Sequence, residues 1–167
     1  MMQKTEEMND IQKIAKMIKD IDFGMLTTVA EDGTLHSRPM SANRNVEFDG
    51  DIWFFTYGNS HKVIEAKKNK HVNVSFSDIK AQTYVSISGT AELVRDKAKI
   101  EELWEPILKA WFPQGKDTPD IALLKVSAEK AEYWDSPGNF LSKTIELVRA
   151  LSGQPVEIGE NKKVDIK

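Results

Sequence analysis

No cysteine occurs among the 167 residues, which excludes disulfides, thiolate catalysis and cysteine-ligated metal clusters. No apolar run approaches the roughly 18 residues of a membrane helix. The start Met1-Met2-Gln3-Lys4-Thr5-Glu6-Glu7 lacks the basic region and continuous apolar core of a signal peptide, so the expected compartment is the cytoplasm and no membrane partner is expected. Charge of one sign is also scarce. With 23 Lys+Arg against 26 Asp+Glu the net charge is -3, too small a field to attract nucleic acid or anionic membranes, and any basic site must be local. The three histidines, His36, His61 and His71, show no i, i+4 helical spacing and have no cysteine beside them, so no metal site is expected.

What is present fits one soluble domain, since the length matches the usual span of a single domain and the hydrophobic share of 40% suffices for a core. Ile11, Ile14, Ala15, Ile18 and Ile21 recur at helical spacing behind Asn9 or Asp10, predicting an amphipathic helix over about 9–21. Gly24 to Ala30 reads as a strand that turns at Asp32-Gly33 into a partner over Leu35 to Val46, and Asp49-Gly50 leads to a third strand, Ile52 to Tyr57. A short helix from Ser60 to Asn69, strands His71 to Ser77 and Tyr84 to Val94 with a bulge at Gly89, and a helix from Asp96 to about Trp111 interrupted by Pro106 follow. Ile121 to Val126 and Ala131 to Trp134 are the last strands, Asn139 to Leu151 is helical in pattern, and 154–167 reads as a polar tail. Five to seven mostly antiparallel strands with helices at the ends make one α+β, mainly β, domain over 1–153, with barrel strands over about 24–135.

The chemistry concentrates in two runs. Trp53-Phe54-Phe55-Thr56-Tyr57-Gly58-Asn59-Ser60-His61-Lys62 is an apolar strand that breaks at a glycine and delivers Ser, His and Lys to a helix start, while Ser37-Arg38-Pro39-Met40-Ser41 adds an arginine on a neighbouring strand. A helix N-terminus, a lysine and a forked guanidinium are what a phosphate requires. From spacing alone, Ser60 as a plain cap with Arg38 and Lys62 as solvated charges explains the pattern equally well.

As an ordered set, these residues resemble the FMN-binding split barrels of the pyridoxamine 5′-phosphate oxidase family. Phe55-Thr56 with Ser60-His61-Lys62 is similar to that family's aromatic-Thr and Ser-Arg-Lys elements, Arg38-Pro39-Met40 to its Arg-x-hydrophobic element, and Glu132-Tyr133-Trp134 to its Glu-aromatic-Trp element. Trp53 to Thr56, Ser88 to Ala91, Trp111 to Pro113 and Glu132 to Asp135 extend the likeness to the bacterial general stress protein subgroup (general stress protein 26-like), over about residues 21–150. The resemblance implies a split β-barrel of antiparallel strands with flanking helices and an FMN cofactor, with FAD as the other flavin. It implies that Arg38, Ser60 and Lys62 hold the phosphate, with His61 in the usual arginine position. It gives the backbone of Pro39-Met40-Ser41 to the polar edge of the ring and makes Phe55 and Thr56 further contacts. It also implies a homodimer with flavin sites at the interface, to which Trp134 and Trp111 contribute; for both tryptophans, core or dimer packing is the competing role.

The family's substrate lysine, five positions after the arginine, is Asn43 here, the glutamine that contacts the flavin is Tyr84, and Trp134 is followed by Asp135-Ser136-Pro137-Gly138-Asn139 in place of Arg-Leu-His-Asp-Arg. Pyridoxine phosphate would find no counter-charges there, so classical oxidase activity is not expected. The reading is a flavin-dependent oxidoreductase of the general stress type acting on an unidentified substrate. A non-catalytic flavin-binding or sensing protein and a cofactor-free interaction module are the alternatives.

Overall fold

A computed structural model describes residues 9–43, 46–136, 147–153 and 159–167 of the chain. Helix α1 (Asp10–Ile18) starts at a reciprocal capping box between Asn9 and Gln12 and buries Ile14 and Ala15. It is shorter than the periodicity predicts, because the chain tightens after it with the Ile21 N–H donating to the Ile18 carbonyl. Strands β1 (Phe23–Val29) and β2 (Leu35–Ser41) form the first hairpin, and β3 (Asp51–Tyr57) precedes α2 (His61–Lys68). Strands β4 (His71–Asp78) and β5 (Thr83–Val94), helix α3 (Lys97–Leu103), β6 (Ile121–Asp135) and β7 (Glu160–Asp165) complete the set.

All strand pairs are antiparallel, in the order β2-β1-β4-β5-β6-β3, with β7 also paired to β6. β6 reaches both because of its 15 residues: Ile121 to Ser127 pairs with β3 and Lys130 to Asp135 with β7. β2 and β3, the two ends of that path, approach one another without pairing, which leaves the barrel split between them. Leu26, Phe54, Val74, Ile87 and Val126, each 0% exposed, fill the interior, and α1 and α2 add to it from outside. The outer face of β3 is covered separately, with Trp53 and Phe55 packing against Ile100 and Leu103 of α3.

Four features depart from the sequence reading. Residues 160–165, expected within a polar tail, form β7, because the C-terminal half of β6 offers an unpaired edge and Val164, at 7% exposure, plugs into the core. The helix expected to run from Asp96 to Trp111 stops at Leu103. Pro106 bars the helical region to the residue before it, and Glu105 is extended (φ -120°, ψ 141°), after which Pro106–Ala110 restarts as a 3-10 turn. The two strands expected at 121–126 and 131–134 are one, continuous through Glu129. β2 ends at Ser41 instead of Val46. The bulge lies where it was expected, at the Ser88/Gly89 register shift, where a Cβ on Gly89 would sit 2.0 Å from the Ser127 carbonyl oxygen. Of the C-terminal helix expected over 139–151, residues 147–151 are helical and 139–146 lie outside the described residues.

Candidate anion-binding site

Strand alternation on β2 sends His36, Arg38 and Met40 to one face and Ser37, Pro39 and Ser41 to the other, with Met40 buried and Pro39 exposed. Arg38 therefore points beneath α2. Its Nη1 donates to the Thr28 hydroxyl at 2.6 Å and to the Leu26 carbonyl at 3.5 Å, and its Nη2 donates to Glu65 Oε2 at 2.9 Å. The Thr28 hydroxyl in turn donates to the same Glu65 oxygen, and His36 Nδ1 lies 3.6 Å from the other one. The β1–β2 register sets this up by placing Thr28 directly across from His36 and Leu26 across from Arg38. Thr28 is fully buried, and the Arg38 and Glu65 side chains are 17% and 15% exposed.

Lys62 lies three residues before Glu65 on α2, hence on the same flank of the helix. It is half-buried and has no acidic partner among the described residues. Burial, followed by the nearby positive charge of Arg38, depresses its pKa below the ordinary lysine value. Glu65 is held below the ordinary carboxylate range, first by the Thr28 hydroxyl and then, against the opposing effect of burial, by Arg38. Of the two neighbouring cations, Arg38 is paired with Glu65 and Lys62 has no acidic partner among the described residues, which leaves one positive charge uncompensated.

In the loop that leads into α2, Gly58 leaves room for the Arg95 guanidinium and the Asp120 carboxylate, which a Cβ would approach to 2.0 Å and 2.8 Å. Asp120 also accepts from the Asn59 N–H at 2.8 Å and pairs with Arg95 at 2.8 Å. Ser60 occupies the N-cap position of α2, but its hydroxyl makes no cap bond and instead lies 3.1 Å from the hydroxyl of buried Thr56. The first-turn N–H groups of α2 are therefore not capped by that side chain. His61, the first helical residue, is exposed.

Thr56, Ser60 and Lys62 lie at the start of α2, and Arg38 reaches the same helix further along, at Glu65. Phe55 points the other way: its ring packs edge-on against Trp104 (5.6 Å) and Phe112 (6.1 Å) on the outer face of β3. Pro39, Met40 and Ser41 lie on β2, an end strand whose outer edge has no strand partner among the described residues. Trp111 is 46% exposed and meets Phe23 edge-on at 6.4 Å, beside the Ser41 end of β2, since Phe23 pairs with Ser41. Trp134, 41% exposed, stands across β5 opposite Tyr84. Asn43 Nδ2 donates to the Leu103 carbonyl at 2.8 Å. A cavity of about 970 Å³ opens elsewhere, lined by α1 together with Asn43, Phe48, Ile52 and Trp53, and includes none of Arg38, Ser60 or Lys62. Sequence reasoning missed Glu65, Thr28, His36 and Phe23. Only Glu65 carried a signal, its i+3 spacing from Lys62.

The pyridoxamine 5′-phosphate oxidase-like family model matches residues 9–156. The chain belongs to the pyridoxamine 5′-phosphate oxidase-like family. Within reach of this family member is the Neurospora crassa protein bli-3, 27% identical over 169 residues that cover 95% of this chain and 79% of that protein. A candidate general stress protein 26 from Jannaschia sp. CCS1 shares the fold with a TM-score of 0.74 at 25% identity, over 90% of this chain and 94% of that one. The general stress FMN/FAD binding protein of Xanthomonas citri superposes with a TM-score of 0.67 at 32% identity, over 77% of this chain and 89% of that one. The split barrel expected from the sequence is the fold that these two solved structures share with this oxidase-like chain. Among its described residues no helix is long and apolar enough to cross a membrane.

Proposed function

We propose that this protein binds a flavin mononucleotide through its phosphate and uses it in a redox reaction. The observation that carries the reading is the pair of neighbouring, partly buried cations, Arg38 and Lys62, of which Arg38 is paired with Glu65 and Lys62 has no acidic partner among the described residues. A half-buried lysine repelled by an arginine is unfavourable in isolation, and a phosphate resolves both the repulsion and the missing partner. The donor set fits that group. Arg38 has five N–H donors, of which three are used by Thr28, Leu26 and Glu65; two remain for a bidentate grip. Lys62 adds a mobile charge, and the Ser60 hydroxyl and the first N–H groups of α2 add neutral donors.

A bound flavin supplies hydride or single-electron transfer. The residues of the chain bind and orient it. The outer edge of β2 at Pro39 to Ser41 offers the Pro39 and Ser41 carbonyls as acceptors and the Ser41 N–H as a donor to the polar edge of the ring, Pro39 having no N–H, and a donor aimed there favours negative charge on that edge. Phe23 and Trp111 flank the same end of the strand. Thr56 contributes through Ser60, which its hydroxyl positions. Glu65, the one carboxylate in the cluster, is committed to Arg38 and Thr28 and is not placed as a general base.

We also propose a homodimer with the flavin at its interface. Phe23, Met25, Tyr84 and Trp134 are all 40% or more exposed, and strand register places them on the same outer face of the sheet. Exposed aromatic and apolar side chains gathered on one sheet face are what a second subunit would cover. The test of the cofactor assignment is the absorbance spectrum of the protein as purified, followed by fluorescence titration with FMN, FAD and riboflavin. The expected order is FMN tightest and riboflavin weakest. Absence of binding by all three favours the interaction-module reading and overturns this one.

A further inference from the structure

We propose that Glu65 is the positioning residue of the phosphate anchor: with Thr28 it locks the Arg38 guanidinium so that its two unused donors face the ligand. The inference rests on the phosphate-anchor reading above. An acid beside an anion site is at first sight counterproductive, because its charge repels the ligand it adjoins. The bonding explains its presence. One carboxylate oxygen of Glu65 receives both the Arg38 Nη2–H at 2.9 Å and the Thr28 hydroxyl, while that same hydroxyl oxygen accepts the Arg38 Nη1–H at 2.6 Å. The three side chains close a ring of hydrogen bonds in which every member is held by the other two.

That ring is largely out of solvent, with Thr28 at 0% exposure and Glu65 and Arg38 at 15% and 17%, where such bonds are stronger and mutually reinforcing. It spans three elements. Thr28 comes from β1, Arg38 from β2 and Glu65 from α2, so it also fixes the helix that carries Ser60 and Lys62 against the strand that carries Arg38. A free arginine would lose considerable side-chain entropy when it gripped a phosphate. In this arrangement that ordering is complete before the ligand arrives.

Two roles predict opposite signs. If Glu65 acts only as a negative charge near the site, Glu65→Ala and Glu65→Gln both tighten FMN. If it positions Arg38, Glu65→Ala weakens FMN roughly tenfold, the size of one lost charge-assisted contact, while Glu65→Gln, which keeps an acceptor of the same shape and removes the charge, binds FMN as tightly as the parent or tighter. Riboflavin, which lacks the phosphate, is unchanged by either substitution. Thr28→Val, which keeps the shape and removes the hydroxyl, weakens FMN in the same direction and serves if Glu65→Ala fails to fold.

The experiment is fluorescence titration of the full chain and these variants with FMN and riboflavin, with Arg38→Ala alongside and with thermal stabilisation by inorganic phosphate as a second reading. Selective loss of FMN and phosphate binding in Glu65→Ala and Thr28→Val, with rescue in Glu65→Gln, is the expected result. Unchanged or tighter FMN binding in Glu65→Ala overturns the positioning role while Arg38→Ala still discriminates FMN from riboflavin. If Arg38→Ala does not discriminate them either, the phosphate anchor itself is wrong and the positioning role falls with it.

Discussion

Replacing Lys62 by Met should stabilise the ligand-free protein and weaken the FMN complex. In the absence of an anion, the Lys62 ammonium is half-buried, lacks an acidic partner among the described residues and is repelled by Arg38. Methionine preserves most of the apolar stem that packs along α2 and removes the charge. A single half-exposed charge interaction contributes about 0.5 to 1 kcal/mol after solvent screening, and for a chain of this size 1 kcal/mol moves the midpoint by about 2 to 4 °C. Thermal denaturation in phosphate-free buffer should therefore show Lys62→Met melting about 1 to 3 °C above the parent. The sign of the pH dependence follows from linkage. The folded-state pKa of Lys62 is depressed, so the folded state binds fewer protons than the unfolded one. Its penalty is full at neutral pH and is relieved as pH rises through the folded pKa towards that of the unfolded chain; the gap between variant and parent should narrow in that alkaline window. In FMN the order reverses, because a lost charge-assisted bond costs about 1.5 to 3 kcal/mol, roughly ten- to a hundredfold in affinity. A Lys62→Met protein that melts below the parent without ligand would show that the lysine is stabilising, and the argument from two opposed cations would fail.

Three other outcomes test the fold and its electrostatics. Gly89→Val should cost about 3 kcal/mol or more in urea denaturation, because its Cβ would meet the Ser127 carbonyl at 2.0 Å across the β5–β6 ladder. Removal of residues 159–167 should cost about 2 kcal/mol, the burial of one valine-sized side chain, since it deletes Val164 and uncovers Tyr133, which is 1% exposed and donates its hydroxyl to Glu160; an unchanged midpoint would return the segment to the status of a tail. Glu65 has a depressed pKa, so its contribution is present above the unfolded glutamate pKa and is lost as pH falls through the folded one. The acid limb of a stability-against-pH curve should accordingly be shallower in Glu65→Gln than in the parent.

Much of the barrel was legible because its signals are local. Asp32-Gly33 marked the first hairpin, an apolar run after Asp49-Gly50 marked β3, alternation marked β4, and the glycine after Ser88 located a bulge in β5 whose cause, a carbonyl 2.0 Å from any Cβ, lies on another strand. β7 escaped because four of its six residues are charged, Glu160, Lys162, Lys163 and Asp165; only the edge left open by β6 makes that segment a strand. α3 was read too long because its apolar stripe continues past Pro106, yet the residue before the proline is extended and the stripe resumes in a separate 3-10 turn. At the candidate site, residue type and spacing pointed to Arg38, Ser60 and Lys62 but left a plain cap and solvated charges open, and the family resemblance weighted them as a phosphate anchor. Strand alternation places Phe55 opposite Thr56, so a strand that presents Thr56 to the site turns the Phe55 ring away from it. Glu65 and Thr28 acquire their roles from cross-strand register and from the packing of α2 on β1, neither of which is local in sequence.

The measurement that tests the account most directly is the ratio of FMN to riboflavin affinity in the parent protein, Arg38→Ala and Lys62→Ala, by fluorescence titration at fixed ionic strength. The account predicts a large preference for FMN in the parent that falls roughly ten- to a hundredfold in each variant while riboflavin binding is unchanged. Equal losses for both ligands, or no preference in the parent, would contradict the claim that these two side chains hold a phosphate.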